Sequence, residues 1–434
     1  MSHTENTTVA VAGGGPAGIM LGLLLARAGV DVTVLEKHGD FLRDFRGDTV
    51  HPSTLQILDE LGLADRLAER PHRKVETLTV GRGDDPIVQA DLHDLPGRFP
   101  YIAMMPQWDF LDMLTDHART YPGFRLLMNA EATGVVEQDS AVRGIRYRRR
   151  SDGDAPSQAG DEEHELRAVL SIAADGRDSG LRDAAGMVPA ELGAPMDVLW
   201  LRVPRKPDDP SGMNGNLGQG AMAVGIDRGH YWQVAFVIPK GGYEATRSQP
   251  IETFQEQLLG LLPFLGENVR DVDDWSKVAF LNVTQDRLER WYRPGLLALG
   301  DAAHAMTPVG GVGINLAVQD AVATANLLAR PLLEAQSDPD RFAKTLNPEL
   351  LARVQRRRRM PTVGTQAFQQ LLQRQVISKA LDTDADLPPL LRVIGGTGPW
   401  SKVVARVMMM GLRPEHVRSP AVATPVRDGE EPTA

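Results

Sequence analysis

The sequence predicts an α/β fold interrupted by a β-rich insertion and closed by a helical C-terminal region. Three stretches carry that expectation. The apolar run Val9 to Ala12 leads into Gly13-x-Gly15-x-x-Gly18 and then an apolar helical segment, Ile19 to Ala28. The apolar run Leu166 to Ala173 leads into Ala174-Asp175-Gly176, and Leu296 to Leu299 leads into Gly300-Asp301. The last is followed by a glycine-rich loop around Gly310, Gly311 and Gly313 and a long helix from about Ile314. Between these junctions, period-two alternation marks strands of an antiparallel sheet.

The first stretch continues into a second strand, Asp31-Val-Thr-Val-Leu-Glu36, which ends in an acid. Strand, glycine turn, helix, strand and terminal acid in this order form a dinucleotide-binding unit of the Rossmann type. Gly13 permits the tight turn, Gly15 lets backbone approach a pyrophosphate, and Gly18 lets helix and strand pack closely. The helix N-terminus offers unpaired N–H groups and partial positive charge to phosphates. Glu36 would accept hydrogen bonds from a ribose 2′-OH, and its charge disfavours a 2′-phosphate at the same place.

Further along, Ser53 or one of its neighbours is expected to cap a helix with apolar positions Leu55, Leu58 and Leu61 and with Gly62 just past its end. Arg46, in the preceding loop, is either a solvated arginine or a contact to a phosphate or ribityl chain. Val75 to Val80 and Pro86 to Leu92 alternate as strands. A helix entered through Pro106 runs to Ala118, and Phe124 to Val136 and Val142 to Arg150 alternate again. Asp197 to Val203, Ala221 to Ile226 and Tyr231 to Ile238 are strand-like, with a helix over Ile251 to Leu262. The expected division is a dinucleotide-binding unit of residues 1–74, 104–188 and 284–335, and a β-rich substrate unit of residues 75–103 and 189–283. A helical region over 336–418 and a disordered tail over 419–434 would follow.

Composition narrows the function. The 434 residues contain no cysteine, which excludes disulfides, thiolate metal sites and cysteine nucleophiles. The formal net charge of −10 disfavours nucleic acid as a partner, and the basic run Arg356 to Arg359 fits a solvated helix face. No His or acidic cluster has metal-ligand spacing. The polar N-terminus has no signal-peptide pattern, and no apolar run was expected to reach the ~20 residues of a membrane span. Val403 to Leu412 is expected to pack as a C-terminal helix, with contact to a membrane surface as the lesser alternative. A cytoplasmic monomer or homodimer is the matching expectation.

Together, Gly13-x-Gly15-x-x-Gly18 with Glu36, Asp175-Gly176, and Gly300-Asp301 with its glycine loop resemble the class A flavoprotein aromatic hydroxylases, the family of para-hydroxybenzoate hydroxylase. The resemblance implies FAD, with Gly13, Gly15, Pro16, Ala17, Gly18, Glu36 and Lys37 around its ADP half. It implies Arg46 near the pyrophosphate, Gln107 and Asp301 on the ribityl chain, and Asp175-Gly176 touching FAD near a transient NAD(P)H site. Pro308, Gly311, Gly313, Ile314 and Asn315 would lie beside the isoalloxazine ring.

The implied reaction is oxygenation of an aromatic or polyketide-like small molecule, using NAD(P)H and O2 through a flavin C4a-hydroperoxide. The catalytic base is not evident, since the substrate region holds no clear Tyr pair; Pro308, His51 and Tyr231 are the candidates for catalysis. His51 suits a packing role as well as a flavin or substrate contact, and His304 suits orientation of the Gly300-Asp301 turn. An oxidase or dehydrogenase, a cyclase-like enzyme with structural FAD, and a flavin-binding protein without turnover are the competing readings.

Overall fold

The computed structural model describes residues 4–42, 49–82, 85–150, 163–218, 221–338, 348–374 and 399–424. The glycine-turn unit forms as expected: β1 (Thr4–Ala12), α1 (Pro16–Arg27) and β2 (Val32–Leu35). Pro16 opens α1 at the position where a missing N–H costs nothing. The next helix, α2 (Pro52–Glu60), also starts at a proline. Ser53 is therefore not its cap: His51 holds the cap position without a side-chain bond, and Ser53 is buried in the first turn. Gly62 does end the helix, at φ +73°.

Two sheets organise the described residues. β3 (Thr77–Arg82) and β4 (Asp85–Asp91) come first, then α3 (Gln107–Ala118), β5 (Phe124–Leu127), β6 (Ala130–Gln138), β7 (Ala141–Arg149) and β8 (Glu163–Ala173). β9 (Met196–Pro204), β10 (Met213–Gly218), β11 (Ala221–Asp227) and β12 (Tyr231–Pro239) follow, then α4 (Ile251–Leu261), β13 (Ala279–Leu281), β14 (Tyr292–Arg293) and β15 (Leu296–Ala298). The eight-stranded sheet runs β14-β15-β8-β1-β2-β5, with β7 and β6 branching from β8. The seven-stranded sheet runs β13-β9-β12-β11-β10-β3-β4, so β3 and β4 join strands more than a hundred residues away. A small sheet of Thr49–Val50, Arg73–Val75 and Ile102–Met104 spans the boundaries expected near 74 and 103. Strand β10 had no signature in the sequence, because Met-Asn-Gly-Asn-Leu-Gly does not alternate.

Among the described residues, three helices close the fold: α5 (Gly313–Ser337), α6 (Pro348–Leu372) and α7 (Pro399–Met410). The segment Val309–Ser337 corrects one expectation, being long and apolar enough to cross a membrane by length and composition. Its most apolar window is 83% buried inside the protein, where α5 packs on α1 and α6. A helix enclosed by other elements needs apolar residues all round, which gives it that composition.

The last described residues also differ from expectation. The amides of Val422 and Ala423 donate to the Arg27 carbonyl at 3.1 Å, and Ser419 is buried. The chain is thus docked on the end of α1 as far as 424; the rest of the expected tail, 425–434, lies outside the described residues.

Candidate functional site

Register sets the site. Leu35 of β2 pairs with Ala12 of β1, Ala12 with Ala173 of β8, and Ala173 with Ala298 of β15, all in parallel. Four neighbouring strands therefore end in one row, about 14 Å across at ordinary strand spacing. Glu36, Gly13, Asp175 and Asp301 lie just beyond those ends. Open α/β sheets bind ligands in the crevice outside the carboxyl ends of their strands.

The motifs also touch each other. Gly13 sits at φ +101°, and a Cβ there would run into the Ala174 carbonyl and lie 2.7 Å from the Asp175 Cα. Only glycine lets the first and second motifs meet this closely. Gly300, at φ +57°, packs within 3.4 Å of the Ala17 Cβ and 3.3 Å of the Ala317 Cβ by the same measure, joining the third motif to α1 and α5. In contrast, a Cβ on Gly15, Gly176 or Gly313 would meet nothing within 4 Å. Those three positions border open space, as a backbone cradle for a ligand requires.

The acidic groups divide into two kinds. Glu36 is buried, with Oε2 accepting from the Gly14 amide at 2.9 Å and Oε1 from the His38 amide at 3.1 Å. This holds the carboxylate against the glycine turn, where a ribose would lie. Asp301 is about one-third exposed (32%), with Oδ2 3.8 Å from Arg177 Nη2. Arg177 was not singled out in the sequence, although it follows Asp175-Gly176 directly.

Asp175 braces the turn that it opens. Its carboxylate accepts from the Ser179 hydroxyl and, at 3.1 Å, from the Leu181 amide, and burial pushes its carboxyl up. The side chain fixes its own turn and the short helix Gly180–Ala184, leaving the Gly176 backbone to border the crevice.

The glycine loop is tied from outside. Asn315 Oδ1 accepts from the His51 amide at 3.0 Å and the Thr54 hydroxyl at 2.7 Å, and its Nδ2 donates to the Gly311 carbonyl at 3.3 Å. The Asn315 side chain thus ties the glycine loop to the start of α2. Gly313 is the first residue of α5, so the backbone N–H groups of its first turn face the loop. Pro308 is half-buried and accepts from the Gly311 amide at 3.0 Å; Ile314 is buried beneath.

His51 is wholly enclosed, and neither ring nitrogen makes a hydrogen bond of good geometry, although backbone at Met408 and Gly310 lies close. Burial lowers its pKa from 6.5 to about 4, so the ring is neutral at pH 7. Gln107 is the half-buried first residue of α3, Pro16 opens α1, and Lys37 is exposed after Glu36. Arg46 lies outside the described residues.

Tyr231 stands at the outer end of β12, with the Arg202 guanidinium 5.3 Å from its ring centre. It is roughly 13 Å of strand away from Ala235, the part of β12 that packs toward Val309 of the glycine loop. The structure therefore groups His51 and Pro308 at the loop and leaves Tyr231 apart.

Below the crevice lies a buried ionic cluster that the sequence did not reveal. Asp320 of α5 accepts from His304 Nε2 at 2.7 Å, Arg358 Nε at 2.9 Å and the Gly300 amide at 3.3 Å. Burial would raise the Asp320 carboxyl, but His304 and Arg358 hold it below the usual range. Glu415 continues the cluster, 2.7 Å from Arg357 Nε and 3.5 Å from Arg358 Nη1. His304 thus orients the Gly300-Asp301 turn through Asp320, and Arg358 is fully buried, not solvated as its basic run suggested.

The family of FAD binding domains matches residues 6–346. A relative, the 6-methylpretetramide 4-monooxygenase of Streptomyces rimosus, is 28% identical over 93% of this chain and 92% of its own. The uncharacterized aromatic compound monooxygenase YhjG of Bacillus subtilis is 29% identical over 72% of this chain, which spans 59% of that protein's length. Among solved structures, p-nitrophenol 4-monooxygenase from Pseudomonas putida superposes with a TM-score of 0.70 at 20% identity, covering 95% of this chain and all of that one.

Proposed function

Since the chain belongs to the FAD-binding family of the class A flavoprotein aromatic hydroxylases, and so is an FAD-dependent monooxygenase, we propose that it uses NAD(P)H and O2 to oxygenate an aromatic or polyketide-like small molecule. One observation carries the placement of the cofactor: four strand ends in register, bordered by the open backbone of Gly15, Gly176 and Gly313. The near full-length likeness to a monooxygenase of a polycyclic polyketide supports the substrate class.

When bound, FAD supplies hydride acceptance and oxygen activation; the chain supplies position and surroundings. In this reading Glu36 holds the adenosine ribose against the Gly13–Gly15 turn. The Gly15 backbone and the α1 N-terminus face the pyrophosphate. Asp301, with Arg177 beside it, and Gln107 take the ribityl hydroxyls. The first-turn amides of α5 at Gly313 stabilise negative charge that develops on the ring system. His51, neutral and enclosed, excludes water from the loop and adds no charge there.

Residues 1–74, 104–188 and 284–335 serve as the FAD unit in this proposal, and residues 75–103 and 189–283 as the substrate unit. The enzyme works in the cytoplasm, where NAD(P)H is available, as a monomer or homodimer.

The test is an anaerobic absorbance titration of the purified holoenzyme with NADH and NADPH, followed by oxygen uptake with a panel of phenols and polyketides. The proposal expects a flavin band that bleaches, and oxygen uptake that substrate stimulates. A flavin band that stays oxidised with both nucleotides would sink it in favour of structural FAD.

A further inference from the structure

The seven-stranded sheet has one face sealed by α4 and one that looks toward the glycine loop. On β12, Trp232, Val234, Phe236 and Ile238 point into a cluster sealed by α4. The alternate residues point the other way, toward Val309 of the glycine loop. On this second face Trp200, Met222, Val224 and Val309 are half-buried, as is Met408, which reaches over from α7. Met196, Val198, Ala235 and Val237 on the same face are buried, so the half-buried side chains form the accessible rim between sheet, loop and helix.

Two polar groups on this face have no hydrogen-bond partner among the described residues. Trp200 Nε1 and the Gln233 amide oxygen are buried without a hydrogen-bond partner, and Gln233 as a whole is only 5% exposed. Trp200 pairs with Ala235 and Arg202 with Gln233 in antiparallel register. Trp200 and Gln233 are therefore diagonal neighbours on one face, their Cβ atoms about 7 Å apart. An unpaired buried polar group is costly, and an apolar residue of similar size would avoid the cost. A buried donor and acceptor left unpaired beside this apolar rim suit a flat ligand that brings the missing partners as the rim side chains part. The Met408 thioether can adapt to the face of such a ring.

We propose that Trp200 and Gln233 are specificity-determining residues, a donor–acceptor pair that reads the oxygen substituents of a planar fused-ring substrate. A carbonyl, phenol or phenolate oxygen accepts from Trp200 Nε1–H, and a ring hydroxyl donates to the Gln233 amide. This rests on the reading that the sheet face opposite the glycine loop holds the substrate.

The experiment titrates the holoenzyme with 1,5-dihydroxynaphthalene and with naphthalene, following the flavin absorbance. Wild type should bind the dihydroxy compound more tightly. Trp200→Phe and Gln233→Leu should each weaken that binding about tenfold, the scale of one lost hydrogen bond, and leave naphthalene binding unchanged. The thermal midpoint of the ligand-free Gln233→Leu holoenzyme should hold or rise, because an unpaired polar group has been removed.

No preference in wild type, unchanged binding in both variants, or equal losses for both ligands with a lowered midpoint would overturn the proposal. Anaerobic bleaching of the ligand-free wild type by NAD(P)H tests the redox reading separately. A flavin that stays oxidised leaves the binding comparison to decide the role of the pair.

Discussion

His51 shows how much a single enclosed side chain can reveal in solution. Its pKa is about 4 in the fold and near 6.5 in an unfolded chain. Between those values the unfolded chain binds the proton and the folded one does not. The contribution is therefore complete above pH 6.5 and lost as pH falls toward 4, about 3 kcal/mol in all. His51→Phe should flatten the pH dependence of the urea midpoint across that window; an unchanged slope would show that the ring is not the group titrating. Asp301 makes a different prediction at the same scale. Asp301→Ala should weaken FAD binding tenfold or more, the scale of hydrogen bonds to a charged group, with little change in the circular dichroism of the apoprotein. Full flavin retention in the purified variant would end the ribityl assignment.

At the scale of elements, the glycine turn is both a cradle and a joint. Because the Gly13 Cα faces Ala174 and Asp175, Gly13→Ala would strain a φ of +101° and push β1 away from β8. The strain alone costs on the order of 1–3 kcal/mol. Gly13→Ala should therefore lose both FAD and thermal stability, whereas Gly176→Ala, with open space around it but φ +92°, should lose stability without that collision. Equal midpoints for Gly13→Ala and wild type would refute the contact. Much of this was legible in advance, since strand, turn and helix are local and written in consecutive residues. The partners of Asp175 were not: only the folded chain shows its carboxylate accepting from Ser179 and Leu181 at the start of the short helix Gly180–Ala184.

Across the whole molecule, the Gly300-Asp301 turn is held by residues that lie beyond the family match at 346. Arg358 and Glu415 join Asp320 and His304 under the turn, and the chain from 411 to 424 then binds Glu60, Asn326 and Arg27. Removing one member of a buried ion pair leaves a charge without compensation and typically costs about 3–5 kcal/mol. Arg358→Met should lower the thermal midpoint sharply and weaken FAD binding through the Gly300 amide, although it touches no ligand. A midpoint within a degree or two of wild type would show that His304 alone satisfies Asp320. Burial settles the contrast with the neighbouring basic residues: Arg358 is 0% exposed, whereas Arg356 and Arg359 are not enclosed.

The sequence by itself determined the glycine turn, the acid at the end of β2, the three strand-to-turn junctions and the family they resemble, because each is a local pattern of backbone need and side-chain period. It could not order the strands. That Leu35, Ala12, Ala173 and Ala298 stand in one row, that Arg177 reaches Asp301, and that Trp200 and Gln233 share one face are facts of register. Register is decided by packing between segments far apart in the chain, where one residue of slip would turn every side chain to the other face. The buried cluster around Asp320 belongs to the same class: four charged or titratable residues drawn from three separate segments become a single group only when the helices and the final segment close over the core.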